Sequence, residues 1–344
     1  MTKAVLVTGG NGFLALHLIA QLLAQNVPVR TSLRSLDKQG QVMTSLKNAG
    51  AANLDQLTFA AADLTHDAGW PAAMAGIDTV FSVAAPVFVN GKSASDEVAE
   101  VATQGTLRIL KAAEKAGVRR VVMTANFGAV GFSNLDPRRQ TTEQDWTDPD
   151  QPGLSLYERS KLIAEQRAWA YLKDSGSKLE FTTINAGAML GTALGDHVSG
   201  SFGIVRNLLD GSLKRIPDIT VSVVDARDVA AMHILAAQTP EAAGQRFLAV
   251  ADQRLSMPEM AALIRHERPA LAGRIPTRKL SSWLMRLAAH FNQVAREGNL
   301  MRTISHDVSN QKAKTVLDWQ PQYSAEQAVL AAADTLVRIG KRPV

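Results

Sequence analysis

The stretch VLVTGGNGFLA, residues 5–15, comes near the start of the chain and decides the fold. Its apolar beginning predicts a strand, and the Leu- and Ala-rich segment that follows predicts a helix. Between them, Gly9 permits a tight turn, Gly12 lets the main chain approach a pyrophosphate, and small Ala15 lets the helix pack on the sheet. The N–H groups at the helix N-terminus would bind phosphate. The dinucleotide contacts expected at this loop are Gly9, Gly12, Phe13 and Leu14.

Apolar β-rich runs alternate with segments of helical periodicity up to about residue 185. Continuously apolar strands joined by helices are typical of a parallel sheet covered on both faces, so the sequence predicts a doubly wound α/β (Rossmann) fold. Glycines then interrupt the pattern, and the last third is mainly helical. We therefore expect a dinucleotide-binding domain over residues 1–185, with 220–238 returning to it. Residues 186–344 would mainly form a smaller, mostly helical substrate lobe, interleaved with the first domain.

Composition narrows the class of protein. The chain has 344 residues, 46% hydrophobic and 20% charged, which is typical of a folded globular protein. It has no cysteine and its seven histidines show no ligand spacing, so we expect no disulfide and no metal site. No apolar run is long enough to cross a membrane and no signal peptide is recognisable, so we expect a cytoplasmic protein. The net charge is +5, but the basic C-terminal third lacks interleaved aromatic residues, so we expect no nucleic-acid partner.

The end of the second predicted strand indicates which dinucleotide binds. An NAD site normally has an Asp or Glu about 20 residues beyond the glycines, but here the first acidic residue of the chain is Asp37. Arg34 and Ser35 occupy the expected position, with Arg30 and Lys38 nearby. A guanidinium group binds a 2′-phosphate through paired hydrogen bonds, whereas a carboxylate would repel it, so the sequence favours NADPH. The alternative is that Arg34 is only an exposed residue at the end of a strand, without a role in cofactor binding.

The segment LSLYERSKLIAEQ places Tyr157 and Lys161 one helical turn apart, on the same face. An ammonium group close to a phenol favours the phenolate, so Lys161 is expected to lower the pKa of Tyr157 from its usual value near 10. Tyr157 could then donate a proton to a carbonyl oxygen while a nicotinamide delivers hydride to the carbon. The Tyr-x-x-x-Lys spacing alone is common in proteins. Its position after several βα units is what supports a catalytic role here.

The chain resembles the extended short-chain dehydrogenase/reductases, and within them the dihydroflavonol-reductase-like aldehyde and ketone reductases. The resemblance extends from Thr8 to Pro321 in family order and is carried by TGGNGFLA, VRTSLR, VFSVAAP, VVMTANFGAVG, YERSK, INAGAMLG, VDARDVA and KAKTVLDWQP. It implies NADPH-dependent reduction of an aldehyde or ketone to an alcohol, with Tyr157 as the acid. Lys161 would bind the nicotinamide ribose and tune the tyrosine.

Further cofactor contacts are expected along the same edge of the sheet. Asp63 and Leu64 end the third strand, where a side chain and the main chain could meet the adenine. The resemblance places two more contacts in the motifs VFSVAAP and INAGAMLG, at Ala84 and Ala188.

The fifth strand departs from the family pattern. Relatives usually end it in Thr-Ser-Ser, with the last serine polarising the carbonyl, whereas this chain has Thr124-Ala125-Asn126. Asn126 could replace the serine, because its amide group is a hydrogen-bond donor. Thr124 could supply a hydroxyl instead, because residues two apart in a strand share a face. Alternatively, Asn126 only ties down the following loop through its own backbone bonds.

By resemblance, four apolar residues fall in segments that line the pocket beyond the nicotinamide: Phe88, Phe127, Met189 and Phe202. They favour a small apolar or aromatic carbonyl substrate, although each is also a typical core residue. The loop 134–153 is expected to form a rim or lid over the site.

Other functions compete with carbonyl reduction. A sugar-nucleotide epimerase or dehydratase would normally keep the acidic residue that is missing after the second strand. A non-catalytic NADP-binding regulator would tend to lose the Tyr–Lys pair, which is present here. A hydroxysteroid-type dehydrogenase running in the oxidative direction is the third alternative. The sequence is compatible with a monomer or a homodimer.

Overall fold

The computed structural model describes residues 3–84 and 96–340, except the side chains of residues 96–99. Strands of the central sheet are β1 (Ala4–Val7), β2 (Val29–Leu33), β3 (Leu57–Ala61), β4 (Ile77–Ser82), β5 (Arg120–Asn126), β6 (Glu180–Ala186) and, further along the chain, β11 (Arg246–Ala249). They are all parallel and lie in the order β3-β2-β1-β4-β5-β6-β11. This order reverses direction at β1, as in doubly wound nucleotide-binding folds, and confirms the predicted fold class.

Helices cover both faces of the sheet, so β1, β4, β5, β6 and β11 are mainly buried, whereas edge strand β3 is partly exposed. The helices of the first part of the chain are α1 (Phe13–Ala24), α2 (Gln39–Asn48), α3 (Trp70–Met74), α4 (Asp96–Lys115), α5 (Gly128–Gly131) and α6 (Leu156–Ser175). One core lies between the sheet and α1 and includes fully buried Leu18, Ile19 and Phe247. A second core lies on the opposite face, under α4 and α6, around Trp70 and Val121.

The second lobe consists of short strand pairs and helices. Its strands are β7 (Ala188–Leu190), β8 (Ile216–Pro217), β9 (Thr220–Val221), β10 (Val223–Asp225), β12 (Leu255–Ser256) and β13 (Lys279–Leu280). Its helices are α7 (Phe202–Leu209), α8 (Ala226–Gln238), α9 (Met257–Glu267), α10 (Ser282–Ala289), α11 (Gln293–Thr303), α12 (Gln311–Leu317) and α13 (Ala325–Arg338). A separate apolar core joins α7, α9 and α13. No described helix is both long and apolar enough to cross a membrane.

The chain passes more than once between the two lobes. β10 pairs with β7, and the apolar face of α8 then joins the same core as α1. β11 pairs with β6 at the edge of the central sheet, although the sequence-based division assigned its residues to 186–344. Residues of α12 also join the core beside α1. The division into 1–185 with 220–238, and 186–344, stays a prediction, and these returns show how interleaved the two parts are.

Candidate active site

The glycine loop between β1 and α1 leaves space where side chains would otherwise stand. Gly9 has a φ of +68°, a left-handed conformation that favours glycine. A Cβ atom added there would lie 3.0 Å from the Cβ of Ala84, and one added at Gly12 would lie 3.1 Å from the carbonyl oxygen of Gly9. Gly12 is the N-cap residue of α1, and no side chain of the described residues caps that helix start. The exposed backbone and the positive end of the helix therefore fit a pyrophosphate.

Two residues of this loop, Gly10 and Thr8, were not singled out from the sequence. A Cβ added at Gly10 would overlap the hydroxyl of Thr31, so the middle glycine is needed for packing. Thr8 Oγ1 accepts hydrogen bonds from the N–H groups of Val83 (3.0 Å) and Ala84 (2.9 Å). Thr8 thus ties the end of β1 to the end of β4 and holds Ala84 over the glycine loop. A threonine directly before the glycines was the available sequence signal.

Phe13 and Leu14, expected to bind the cofactor, have buried side chains. The Phe13 ring packs edge-on against Phe202 at 5.1 Å between centroids. Their contribution to a phosphate site is therefore limited to main-chain N–H groups at the helix start. Ala188 begins β7, and its N–H donates to the carbonyl oxygen of Ser222 at 2.8 Å. Its methyl group is half-buried.

Arg34 and Asp63 lie near each other at the open edge beyond β2 and β3. Arg34 is exposed, and its positive charge acts on Asp63. Burial would raise the pKa of Asp63, but the N–H and hydroxyl of Thr65, both 2.8 Å from Asp63 Oδ1, outweigh it together with Arg34. The pKa of Asp63 is therefore below its usual value, and the group is a carboxylate that can accept hydrogen bonds.

The other polar residues after β2 have separate roles. Arg30 Nη1 donates to main-chain carbonyl oxygens at the end of α3, including Ala73 (3.0 Å) and Ala75 (2.8 Å). Ser35 Oγ accepts from the N–H of Asp37 at 3.3 Å and donates to its carboxylate at 2.8 Å. Arg34, rather than Arg30, is therefore the exposed guanidinium group at this edge.

A narrow cleft opens at the carboxyl ends of β4 and β5, next to the point where the strand order reverses. Ligands of doubly wound folds bind at such a point. The residues around it include Leu64, Ser82, Ala84, Thr106, Thr124 and Lys161. Predicted cofactor contacts from β3, β4 and α6 are thereby brought together.

Tyr157 and Lys161 lie in the first two turns of α6. Ser155 is the N-cap residue of this helix, and its hydroxyl accepts a hydrogen bond from the N–H of Glu158 at 3.1 Å. The Tyr157 residue is 42% exposed, but its buried hydroxyl end forms a hydrogen bond with the side chain of Asn126. The helix start thus directs the phenol toward the carboxyl end of β5.

The protonation of this pair differs from the sequence prediction. Burial and, to a smaller extent, the negative charge of Glu158 raise the pKa of Tyr157 to about 12, and the Asn126 hydrogen bond only partly opposes them. The predicted lowering of the Tyr157 pKa is therefore wrong for this chain. Burial lowers the pKa of Lys161 to about 8, partly opposed by Glu158. The sequence could not show that Glu158 would be buried beside both groups.

Asn126 is the last residue of β5, and its side-chain amide group forms hydrogen bonds with two partners. Its Oδ1 accepts a hydrogen bond from the N–H of Gly128, which fixes the turn after the strand. Its side chain also bonds to Tyr157 and favours the phenolate form, as a donating NH₂ group does. The loop-tying interaction and the approach to Tyr157 therefore occur in the same residue.

Thr124, two residues earlier, is bonded to a buried histidine. Thr124 Oγ1 lies 2.8 Å from Nε2 of His233, whose Nδ1 lies 2.8 Å from the carbonyl oxygen of Val229. A carbonyl oxygen can only accept, so Nδ1 carries the hydrogen, and burial lowers the pKa of His233 to about 4 and keeps the ring neutral. Nε2 is then an acceptor, and the single hydroxyl proton of Thr124 is donated to it.

The combined pattern of glycine loop, parallel sheet and Tyr–Lys pair matches a known family. The sequence model of the 3-beta hydroxysteroid dehydrogenase/isomerase family matches residues 6–248. This chain belongs to that family.

Several proteins similar to this chain are named as reductases. The chain is 35% identical over 248 residues to cinnamoyl-CoA reductase 1 of Petunia hybrida, covering 71% of each chain. It is 30% identical over 290 residues to an anthocyanidin reductase ((2S)-flavan-3-ol-forming) of Vitis vinifera, covering 80% of this chain and 83% of that one. Yeast methylglyoxal/isovaleraldehyde reductase Gre2, complexed with NADPH, shares the fold with a TM-score of 0.79 at 23% identity, over 98% of this chain and 99% of that one. The predicted resemblance to dihydroflavonol-reductase-like enzymes is confirmed.

Behind the site, this family member has a buried charged network that the sequence analysis missed. Glu165, one turn beyond Lys161 on α6, is fully buried and accepts from Arg246 Nε (2.9 Å), Thr183 Oγ1 (2.9 Å) and Asn185 Nδ2 (2.7 Å). Asn185 Nδ2 also lies 3.2 Å from the main-chain oxygen of Asn126. The network therefore joins α6, β6 and β11 to the end of β5. An acidic residue four positions after Lys161 was the sequence signal.

The loop 134–153 is anchored by the same arginine. Arg246 Nη1 donates to the carbonyl oxygens of Glu143 (2.9 Å) and Asp145 (2.8 Å). Its guanidinium group lies 3.6 Å from the ring centroid of Trp146. The segment predicted to be a rim or lid is thus held at its middle by a buried cation.

The apolar residues expected to line the substrate pocket are partly used for packing. Phe202 is fully buried against Phe13, and Phe127 is buried against Phe132 with ring centroids 5.9 Å apart. These two residues are core residues in the structure, as their apolar character also allowed, and their place in the pocket lining stays a prediction. Met189 is half-buried, and Phe88 lies outside the described residues.

Proposed function

We propose that this chain is an NADPH-dependent reductase that converts the carbonyl group of an aldehyde or ketone to an alcohol, with Tyr157 as the proton donor. The observation that supports it best is the hydrogen bond between the Tyr157 hydroxyl and the Asn126 side chain, one helical turn from Lys161, which lines the same cleft as Ala84. The relatives add support, because two are named as reductases and the yeast enzyme binds NADPH.

In this reaction, bound NADPH supplies the hydride that adds to the carbonyl carbon. Tyr157, with its raised pKa, keeps its proton at neutral pH and gives it to the carbonyl oxygen as negative charge develops there. Asn126 presents an NH₂ group at the same point and stabilises that charge. Lys161 lies one turn behind, where its ammonium group can bind the ribose hydroxyls. Gly9, Gly12 and the start of α1 would hold the pyrophosphate.

We assign the place of the family serine to Asn126 rather than Thr124. Polarising a carbonyl oxygen requires a donor, and the only hydroxyl proton of Thr124 is donated to His233. The Asn126 amide has two N–H bonds, so one can bond Tyr157 while the other faces a substrate oxygen.

Replacing Asn126 should therefore slow the chemical step. We expect Asn126→Ala to lower kcat by about 10²-fold or more, in line with the loss of an oxyanion donor, and Asn126→Ser to recover much of that loss. Steady-state kinetics measure both variants. Thr124→Val is the matched control, since it removes a hydroxyl from the same strand. A larger loss in Thr124→Val than in Asn126→Ala would transfer the role to Thr124.

Arg34 supports the choice of NADPH over NADH. Its guanidinium group is exposed at the end of β2, where we infer that it binds the 2′-phosphate, and its charge acts on nearby Asp63. We expect the unmutated protein to bind NADPH more tightly than NADH, and Arg34→Asp to erase or invert a preference of tenfold or more, the scale of a charged hydrogen bond of about 1.5–3 kcal/mol. Fluorescence titration with both cofactors gives the two Kd values.

The control for charge alone is Lys47→Asp on α2, which makes the same change at an exposed lysine. It should leave the ratio of the two Kd values in place. Equal Kd values for NADPH and NADH in the unmutated protein would remove Arg34 from cofactor selection.

The proposed substrate is a small apolar or aromatic carbonyl compound, in keeping with relatives named for cinnamoyl-CoA and anthocyanidin. The first test is loss of NADPH absorbance against a panel of aromatic and aliphatic aldehydes, ketones and diketones. Tight NADPH binding without turnover would favour a regulator. An epimerase or dehydratase has less support, because Arg34 stands where its acidic residue is normally found. Cytoplasmic location, and a monomeric or homodimeric state, stay predictions.

A further inference from the structure

Glu158 is a carboxyl group that the proposed mechanism does not use, although it lies inside the same cluster. It directly follows Tyr157 and precedes Lys161 by three residues, so it shares a helix face with Lys161. Its Oε2 atom is buried, and no donor among the described residues lies within hydrogen-bonding distance of it. A buried carboxyl oxygen without a donor costs free energy, and the neighbouring groups show what its charge and shape affect.

The carboxyl group lies against the turn that holds Asn126. A Cβ added at Gly128 would overlap Glu158 Oε2, and it would lie 2.8 Å from both the carboxyl carbon of Glu158 and Asn126 Oδ1. Only glycine at 128 leaves room for the Glu158 carboxyl group. The N–H of the same glycine donates to Asn126 Oδ1. Glu158 therefore fills the space behind the turn that directs the Asn126 amide toward Tyr157.

Three charged or titratable groups interact with Glu158. Lys161 and Tyr157 lie on its own helix, and Glu297 faces it from α11. Burial, with a smaller contribution from the charge of Glu297, raises the pKa of Glu158 to about 7, and Lys161 only partly opposes this rise. The charge of Glu158 in turn raises the pKa values of both Tyr157 and Lys161. A negative charge at this position thus favours the protonated form of each partner.

We propose that Glu158 is a positioning residue for the Tyr157–Lys161 pair: its buried carboxylate is the counter-ion of the Lys161 ammonium group and supports the Asn126–Gly128 turn. This role rests on the proposed function, in which Tyr157 must be a neutral phenol and Lys161 a cation. Glu158 keeps both groups in those forms as the pH rises, without itself touching the reacting atoms.

The kinetic test is Glu158→Gln, which removes the charge and keeps the shape. In the unmutated enzyme, kcat/KM should fall at alkaline pH as Lys161 loses its proton. In Glu158→Gln this fall should move to lower pH, and each pH unit of movement lowers kcat/KM at a fixed alkaline pH about tenfold. Glu158→Asp, which keeps the charge, should restore most of the original profile. Asp174→Asn removes an exposed carboxylate from the same helix and should leave the profile in place.

The second readout is stability against pH, which does not depend on turnover. Between about pH 4.5 and 7 the folded chain keeps a proton on Glu158 that the unfolded chain releases, so Glu158 makes the unfolding free energy fall as pH rises through this window. Glu158→Gln should lack that fall. Lys161 has the opposite sign: its lowered pKa makes stability rise with pH from about 8 to 10.5, and this rise should begin at lower pH in Glu158→Gln.

The two readouts separate the inference from the function on which it rests. A shifted kinetic profile together with the altered unfolding profile supports the role of Glu158. An unfolding profile parallel to that of the unmutated protein would overturn it, whether or not the enzyme reduces carbonyls. If no tested carbonyl is reduced but the unfolding profile changes as expected, Glu158 is the counter-ion of Lys161 and the proposed function fails separately. Should Glu158→Gln not fold, Glu158→Asp must fold with near-normal profiles, and failure there contradicts the proposal.

Discussion

Tyr157→Phe is expected to lower kcat for carbonyl reduction by about 10²- to 10⁴-fold, the usual contribution of a positioned general acid. The variant keeps the ring and removes only the hydroxyl group that meets Asn126. NADPH binding should persist, because the glycine loop and Arg34 are unaffected. Stopped-flow measurement of NADPH oxidation gives the rate, and fluorescence titration gives the Kd.

Tyr171→Phe is the matched control. Tyr171 lies on the same helix α6, but its hydroxyl donates to Glu114 at 2.6 Å, away from β5 and the glycine loop. The control should turn over normally with the same carbonyl substrate. Normal turnover in Tyr157→Phe would remove that hydroxyl from the reaction. A parallel loss in both variants would instead indicate damage to α6.

The fold was largely predictable because its signals are local. A glycine loop after a buried strand and alternating strand and helix periodicities need only neighbouring residues to be recognised. β11 was not assigned to the sheet, because it has only four residues, RFLA, and begins with a charged one. That arginine is tolerated in a buried strand because Glu165, 81 residues earlier, and two carbonyl oxygens of the loop 134–153 accept its hydrogen bonds. Such a pairing leaves no periodic pattern in the sequence.

The site residues that belong to sequence motifs could be predicted, whereas the properties that depend on burial could not. Tyr157, Lys161 and Asn126 were identified from spacing and resemblance, and the structure brings them to one point. The raised pKa of Tyr157 was missed, because nothing in YERSK shows that the phenol is buried or that Glu158 lies beside it. The bond between Thr124 and His233 joins residues 109 positions apart, so the hydroxyl proton of Thr124 could not be assigned from the sequence.

Glu165→Ala should have the largest effect on stability. It leaves Arg246, which is 8% exposed, without its carboxylate partner and removes the acceptor of Thr183 and Asn185. Removing one partner of a buried ion pair costs about 3–5 kcal/mol, because the other charge stays buried and unpaired. Urea denaturation, with tryptophan fluorescence as the probe, measures the loss.

Asp334→Ala is the control for ion pairing as such. It breaks the bond to Arg268, in which both side chains are partly exposed, and should cost less than about 1 kcal/mol. Similar losses of unfolding free energy in the two variants would mean that burial of the Glu165–Arg246 pair does not increase its contribution to stability. Glu165→Gln should fall between them, because its single amide oxygen can still accept from Arg246, while its NH₂ group faces Asn185 Nδ2 and the guanidinium charge is left unbalanced. Since Asn185 also bonds the main chain of Asn126, a fall in kcat in Glu165→Gln beyond the unfolded fraction would show that this network holds the end of β5 in place for the reaction.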